Sequence, residues 1–263
     1  MNFGSLRTIL LIVFMLSSIL KVNGTHDSLG VDELTLFARE NLNSTIQYLE
    51  SKRSKYKSEK NYIEWIFYRV HRKQLKRYKQ YSSLEETIDK GYYDCVTGTA
   101  LYAGIYNALG FDVYIKESTY HVYLIIKSDE GDVLIESTDP LNGVVADSEM
   151  INGWENIYTI QYALSDDIDR QFNFKKVSKE GISNNQLLGL LYFNQAVRFY
   201  NNKRFTDSMG YIEAGIKYYP SDRMYTMAGL IAQAMLDCDK VNPVIGKIYA
   251  EKYLASKLEV AGN

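Results

Sequence analysis

Three residues in one short stretch could do covalent chemistry together: Cys95, His121 and Asp139. A thiol attacks well only as thiolate, a form favoured by a helix N-terminus and a neighbouring histidine. Cys95 follows a break at Gly91 and Asp94 and opens a run to Phe111 without a charged residue, so its sulfur belongs at the positive end of a buried helix. The chain has three histidines, His26, His71 and His121, and only His121 falls on a strand after that helix. Asp139 ends the next strand, where a carboxylate can orient an imidazole and stabilise its cation. In this scheme Cys95 attacks an amide carbon, His121 moves the proton, and backbone amides at the helix start hold the oxyanion.

The elements that must position these residues can be read from periodicity. Apolar positions predict a helix over Val31 to Thr45 and a further helical stretch toward Tyr56, with a break at Ser58 to Asn61. Ile63, Ile66, Phe67, Val70, Tyr78 and Tyr81 then share one helical face, with Arg69, Arg72 and Lys76 opposite. This basic face is read as solvated surface rather than a binding patch, and His71 as a boundary residue. Ser82 to Lys90 reads as a short helix closed by Gly91, and Cys95 to Leu109 as the central helix, ended by Gly110. Three strands follow, Phe111 to Lys116, His121 to Lys127 and Asp132 to Ser137, the last two joined through Asp129-Glu130-Gly131. Pairing Ser128 with Asp132 sets His121 opposite Asp139. Ile157 to Leu164 reads as another strand and Ser165 to Glu180 as a polar connector.

The segment from Tyr93 through Cys95 to Phe111, then Tyr120-His121-Val122-Tyr123-Leu124, then Glu136-Ser137-Thr138-Asp139-Pro140, resembles the transglutaminase-like superfamily. The resemblance covers about fifty of 263 residues, with its three elements in order. It implies an α+β fold with a papain-like core, a cysteine-bearing helix packed on a small antiparallel sheet, and acyl-enzyme chemistry on a peptide or other amide. Peptidase, amidase and transamidase all remain open, as does an inactive binding module. Animal members use an upstream tryptophan at the oxyanion. Trp65 lies upstream here, and a core role is the commoner fate of a tryptophan. No cofactor, metal or acidic calcium loop is expected.

From Asn184 to Pro220 the spacing of Tyr192, Ala196, Phe199, Ser208 and Ile212 resembles one tetratricopeptide repeat, a helix pair of about 34 residues, with Gln195 where leucine is usual. Some bacterial secreted members of the superfamily carry such a tail. A plain helical hairpin is the alternative. Asn242-Pro243 supplies a cap and first residue for a last helix toward Leu258. Residues 184 to 263 are therefore expected to dock on the core or recruit a protein partner.

The N-terminus, with Arg7, an apolar run from Ile9 to Leu16 and Gly24, has the layout of a secretory signal peptide. The run is shorter than the roughly 20 residues of a membrane span. The expected organisation is a leader over 1–24, a core with N-terminal helices over 25–165, a connector over 166–183 and helices over 184–263. The product would be exported, periplasmic or secreted, with no stable membrane span. Cleavage removes Arg7 and Lys21, leaving the chain more acidic than its formal −2, which argues against nucleic acid as a partner. In an oxidising compartment Cys95 and Cys238 could instead form a disulfide, which would abolish the nucleophile.

Overall fold

The computed structural model describes residues 33–118, 121–154 and 181–260. The leader, His26, the strand expected over Ile157 to Leu164 and the connector up to Glu180 lie outside the described residues. The fold is mixed α+β, and the described residues cluster as one compact unit. Among the described residues no helix is long and apolar enough to cross a membrane.

Helices α1 (Glu33–Glu50) and α2 (Glu59–Gln74) precede the central helix. Ser58, expected within a break, is the N-cap of α2 and accepts from the Asn61 amide, a polar start that relieves an orphan donor. Helix α2 ends at Gln74, earlier than its apolar stripe suggests. Tyr78 instead enters a two-residue strand β1 (Arg77–Tyr78), and Tyr81 takes a left-handed backbone with φ of 57°. Helix α3 (Leu84–Lys90) opens with a Ser83–Glu86 capping box and closes at Gly91, φ 72°, as expected. Strand β2 (Tyr92–Tyr93) pairs parallel to β1 and delivers the chain into α4 (Cys95–Ala108).

Helix α4 is buried nearly all round, as its charge-free sequence requires. Tyr102 and Tyr106 donate their hydroxyls to the Phe67 and Ile63 carbonyls of α2, at 2.9 and 2.8 Å. At Gly104 the helix approaches α1 so closely that a Cβ would meet the Leu34 carbonyl at 2.8 Å and the Ala38 methyl at 2.9 Å. Thr99 Oγ1 donates to the Val122 carbonyl at 3.0 Å, tying the helix to the strand that follows His121.

The antiparallel sheet runs β3 (Asp112–Glu117), β4 (Val122–Lys127), β5 (Val133–Ile135) and β6 (Val144–Val145) in sequence order. Strand β6 has too short an apolar run to show in the sequence. Gly131 takes a positive φ of 106° in the β4–β5 turn. Val122, Leu124 and Ile126 enter the main core with α4, while Tyr123, Ile125 and Leu134 join a second cluster with Ile151, so β4 is buried on both faces. The β4–β5 register pairs Leu124 with Ile135, one residue away from the pairing expected from the turn.

The C-terminal part consists of α5 (Asn184–Asn201), α6 (Phe205–Tyr218), α7 (Asp222–Leu236) and α8 (Pro243–Val260). Asn242 Oδ1 accepts from the Val244 amide and Pro243 opens α8, as read from the sequence. Leu187, Leu190, Ile212, Met224 and Ile231 belong to the same apolar cluster as α4, so these helices share one core with the sheet region. Fully burying each such side chain contributes about 1.5–3 kcal/mol.

Candidate active site

Asp94 caps α4: its Oδ1 accepts from the Thr97 amide at 2.9 Å, and Thr97 Oγ1 accepts from the Asp94 amide at 2.9 Å. Cys95 is therefore the first residue of the helix, partly exposed. The cap occupies the Thr97 amide, and the amides of Cys95 and Val96 have no intrahelical acceptor, as in any first turn. Both Cys95 and Cys238 are free thiols, so the structure contains no disulfide between them.

His121 stands directly before β4. Its imidazole hydrogen-bonds Oε2 of Glu136 through Nε2, and the Cys95 side chain lies near enough for its charge to act on the ring. Glu136 is 3% exposed, and its other oxygen accepts from the amide and hydroxyl of Thr138 at 2.9 and 2.6 Å. Burial opposes the charged imidazole, but the hydrogen bond to Glu136 and the negative charge of Glu136 and Cys95 outweigh it and raise His121 to about 10. Burial likewise pushes the Glu136 carboxyl up, and the His121 and Thr138 contacts reverse that, leaving it below its ordinary range. Each partner's charge favours the other's.

Asp139, the residue expected in the third role, does not reach His121. Its Oδ1 accepts from the amides of Leu141 and Asn142 at 3.0 and 2.8 Å, closing a turn on the surface. The one-residue shift in register accounts for this. Extended past Ile135, the observed pairing sets Glu136 opposite Tyr123 and diagonal to His121, on one face, and puts Asp139 in the other phase. His121 stacks on Tyr123, with ring centroids 6.4 Å apart, in keeping with that shared face. A signal for Glu136 was present: a carboxylate continuing the apolar run Val133-Leu134-Ile135 must find a positive partner if buried.

No family model, curated protein or solved structure matches this chain.

Other sequence candidates take structural places. Trp65 packs among Tyr48, Tyr56 and Tyr62, and Tyr62 contacts Phe111, just beyond the far end of α4 from Cys95. His71 is not a boundary residue but buried at 7% exposure. Its Nε2 lies 3.2 Å from the Ser137 carbonyl, a contact that requires the proton on that nitrogen, and burial lowers its basicity. Tyr78 is the group sequence reasoning missed at the rim. It is 51% exposed, its ring meets Tyr93 edge-on, and after burial the negative charges of Cys95 and Asp94 most oppose its ionisation.

Proposed function

We propose that the chain is an exported cysteine-dependent acyl-transfer enzyme of the transglutaminase-like, papain-like type, acting on peptide or other amide bonds. The observation that carries this reading is the His121 imidazole bonded to the buried Glu136 carboxylate, with Cys95, at the N-terminus of α4, near enough for its charge to act on the ring. At neutral pH the raised basicity of His121 keeps the proton on the ring, and the sulfur attacks the amide carbon as the thiolate. The resulting oxyanion lies toward the Cys95 and Val96 amides at the positive end of α4. Protonated His121 then gives its proton to the leaving amine, so the C–N bond breaks and a thioester remains on Cys95. Water releases an acid, as in a peptidase or amidase, or a second amine forms a new amide, as in a transamidase. Glu136 keeps the ring oriented and stabilises its cation, the role expected of Asp139.

The resemblance of α5 and α6 to a tetratricopeptide repeat supports a further role in recruiting a protein partner. Val244 and Ile248 on α8, 64% and 56% exposed, are apolar enough to serve it. The same tail would serve an inactive binding module, and one experiment separates the two readings. Iodoacetamide should label Cys95 rapidly near neutral pH and much more slowly in His121→Ala. Slow labelling that ignores the histidine would leave the binding module as the better reading.

A further inference from the structure

Both partners of the proposed reaction are anchored, one residue or one turn away, by side chains of the C-terminal helices. On the nucleophile side, Asn194 of α5 donates Nδ2 to Asp94 Oδ2 at 2.8 Å. Asp94 is 3% exposed and directly precedes Cys95. The nearby Tyr81–Ser82 backbone, left-handed at Tyr81, favours the charged form of this carboxylate against the opposing effect of burial. Next on α5, Gln195 donates Nε2 to the Ser82 carbonyl at 2.9 Å, and one turn later Arg198 pairs with Glu86 at 2.8 Å. One helix face therefore holds the Tyr81–Glu86 segment and the cap of α4 together.

On the base side, Arg223 of α7 pairs with the buried Glu117 carboxylate at 2.9 Å, and Tyr219, just after α6, donates to its other oxygen at 2.7 Å. Arg223 also donates to the Ser118 carbonyl at 3.4 Å. Ser118 in turn donates its amide to the His121 carbonyl at 2.7 Å. A helix pair that only packed against the core would have no need of buried polar anchors at these two points, where an unpaired partner is costly.

We propose that Asn194 and Arg223 are positioning residues that set the separation of Cys95 from His121, so that the C-terminal helices form part of the active site. This rests on the acyl-transfer reading above. Asn194 acts through the Asp94 cap, and so through the helix N-terminus that favours the thiolate. Arg223 acts through Glu117 and Ser118 on the placement of the imidazole. The titratable groups on which the Cys95 charge acts are His121 and Tyr78.

The test measures iodoacetamide alkylation of Cys95 and of Cys238 in the full chain from pH 5 to 10, by peptide mass spectrometry. Cys238, in the turn after α7, serves as the reference thiol for intact folding. Asn194→Leu should slow Cys95 by about tenfold to a hundredfold at neutral pH, because a misplacement on the order of 1 Å costs that much. It should also move the Cys95 profile to higher pH while Cys238 is unchanged, and Asn194→Gln, which keeps an amide donor, should recover part of the rate. Should Asn194→Leu unfold, Arg223→Lys carries the test, since it keeps the charge on Glu117 but loses the planar fork. It too should slow Cys95 alone. Variants that melt earlier yet keep the wild-type Cys95 rate and pH profile would overturn the inference while leaving the acyl-transfer reading intact. A wild-type Cys95 no faster than Cys238 and indifferent to His121→Ala would overturn both.

Discussion

His121 Nε2 is bonded to Oε2 of Glu136, while Asp139, three residues further along, holds the amides of Leu141 and Asn142. The two carboxylates should therefore behave differently on mutation. Glu136→Gln should slow Cys95 alkylation at neutral pH by about 10²-fold or more, since the imidazole loses its counter-charge and the amide can turn a donor toward the ring. Asp139→Asn should change that rate by less than about threefold and cost roughly 1 kcal/mol of stability through the loosened turn. The reverse order would restore Asp139 to the third role.

The raised basicity of His121, to about 10, gives a pH signature. Acyl transfer needs the imidazolium as acid for the leaving amine, so turnover of an amide substrate should decline above about pH 10. Alkylation needs only the thiolate and should persist there. Parallel profiles for the two reactions would show that His121 does not act as the acid.

Stability should follow the two buried histidines in opposite directions. The folded state holds the His121 proton more tightly than the unfolded chain. That contribution is fully present below the ordinary histidine value of about 6.5 and is lost as pH rises toward about 10. His71 is depressed by burial, so the unfolded chain binds its proton more readily, and stability falls as pH drops below about 6.5. Urea melts from pH 5 to 9 should show a maximum near pH 6.5. His71→Gln should flatten the acid limb and His121→Gln the alkaline one.

Two glycines of α4 separate packing from chemistry. At Gly98 a Cβ would come within 2.6 Å of Ser137 Oγ, in the segment that carries Glu136. At Gly104 it would meet the α1 backbone, far from the thiol. Each alanine variant should cost about 1–3 kcal/mol by overpacking. Gly98→Ala should also slow Cys95 alkylation, whereas Gly104→Ala should leave it at the wild-type rate. Thermal melts read with labelling rates distinguish them.

Much of this arrangement is local, and what is local was legible. The lack of charge from Cys95 to Phe111 determines a buried helix, because no face of it can be left in water. Asp94 and Thr97 determine where it begins, Gly91 where the preceding helix ends, and Gly131 the turn between β4 and β5. Asn242 and Pro243 likewise mark the start of α8 from their own chemistry.

What the tertiary structure decided is which groups meet. A side-chain period of two lets a single residue of register exchange Asp139 for Glu136, and nothing within either strand selects between the two pairings. The choice comes from packing Val122, Leu124 and Ile126 against α4 and Tyr123, Ile125 and Leu134 against the second cluster. Gln195 shows the same division: an exception to the repeat pattern in sequence, it bonds the Tyr81 and Ser82 carbonyls in space. Asn194 and Asp94 lie a hundred positions apart, and only closure of the core makes one a partner of the other.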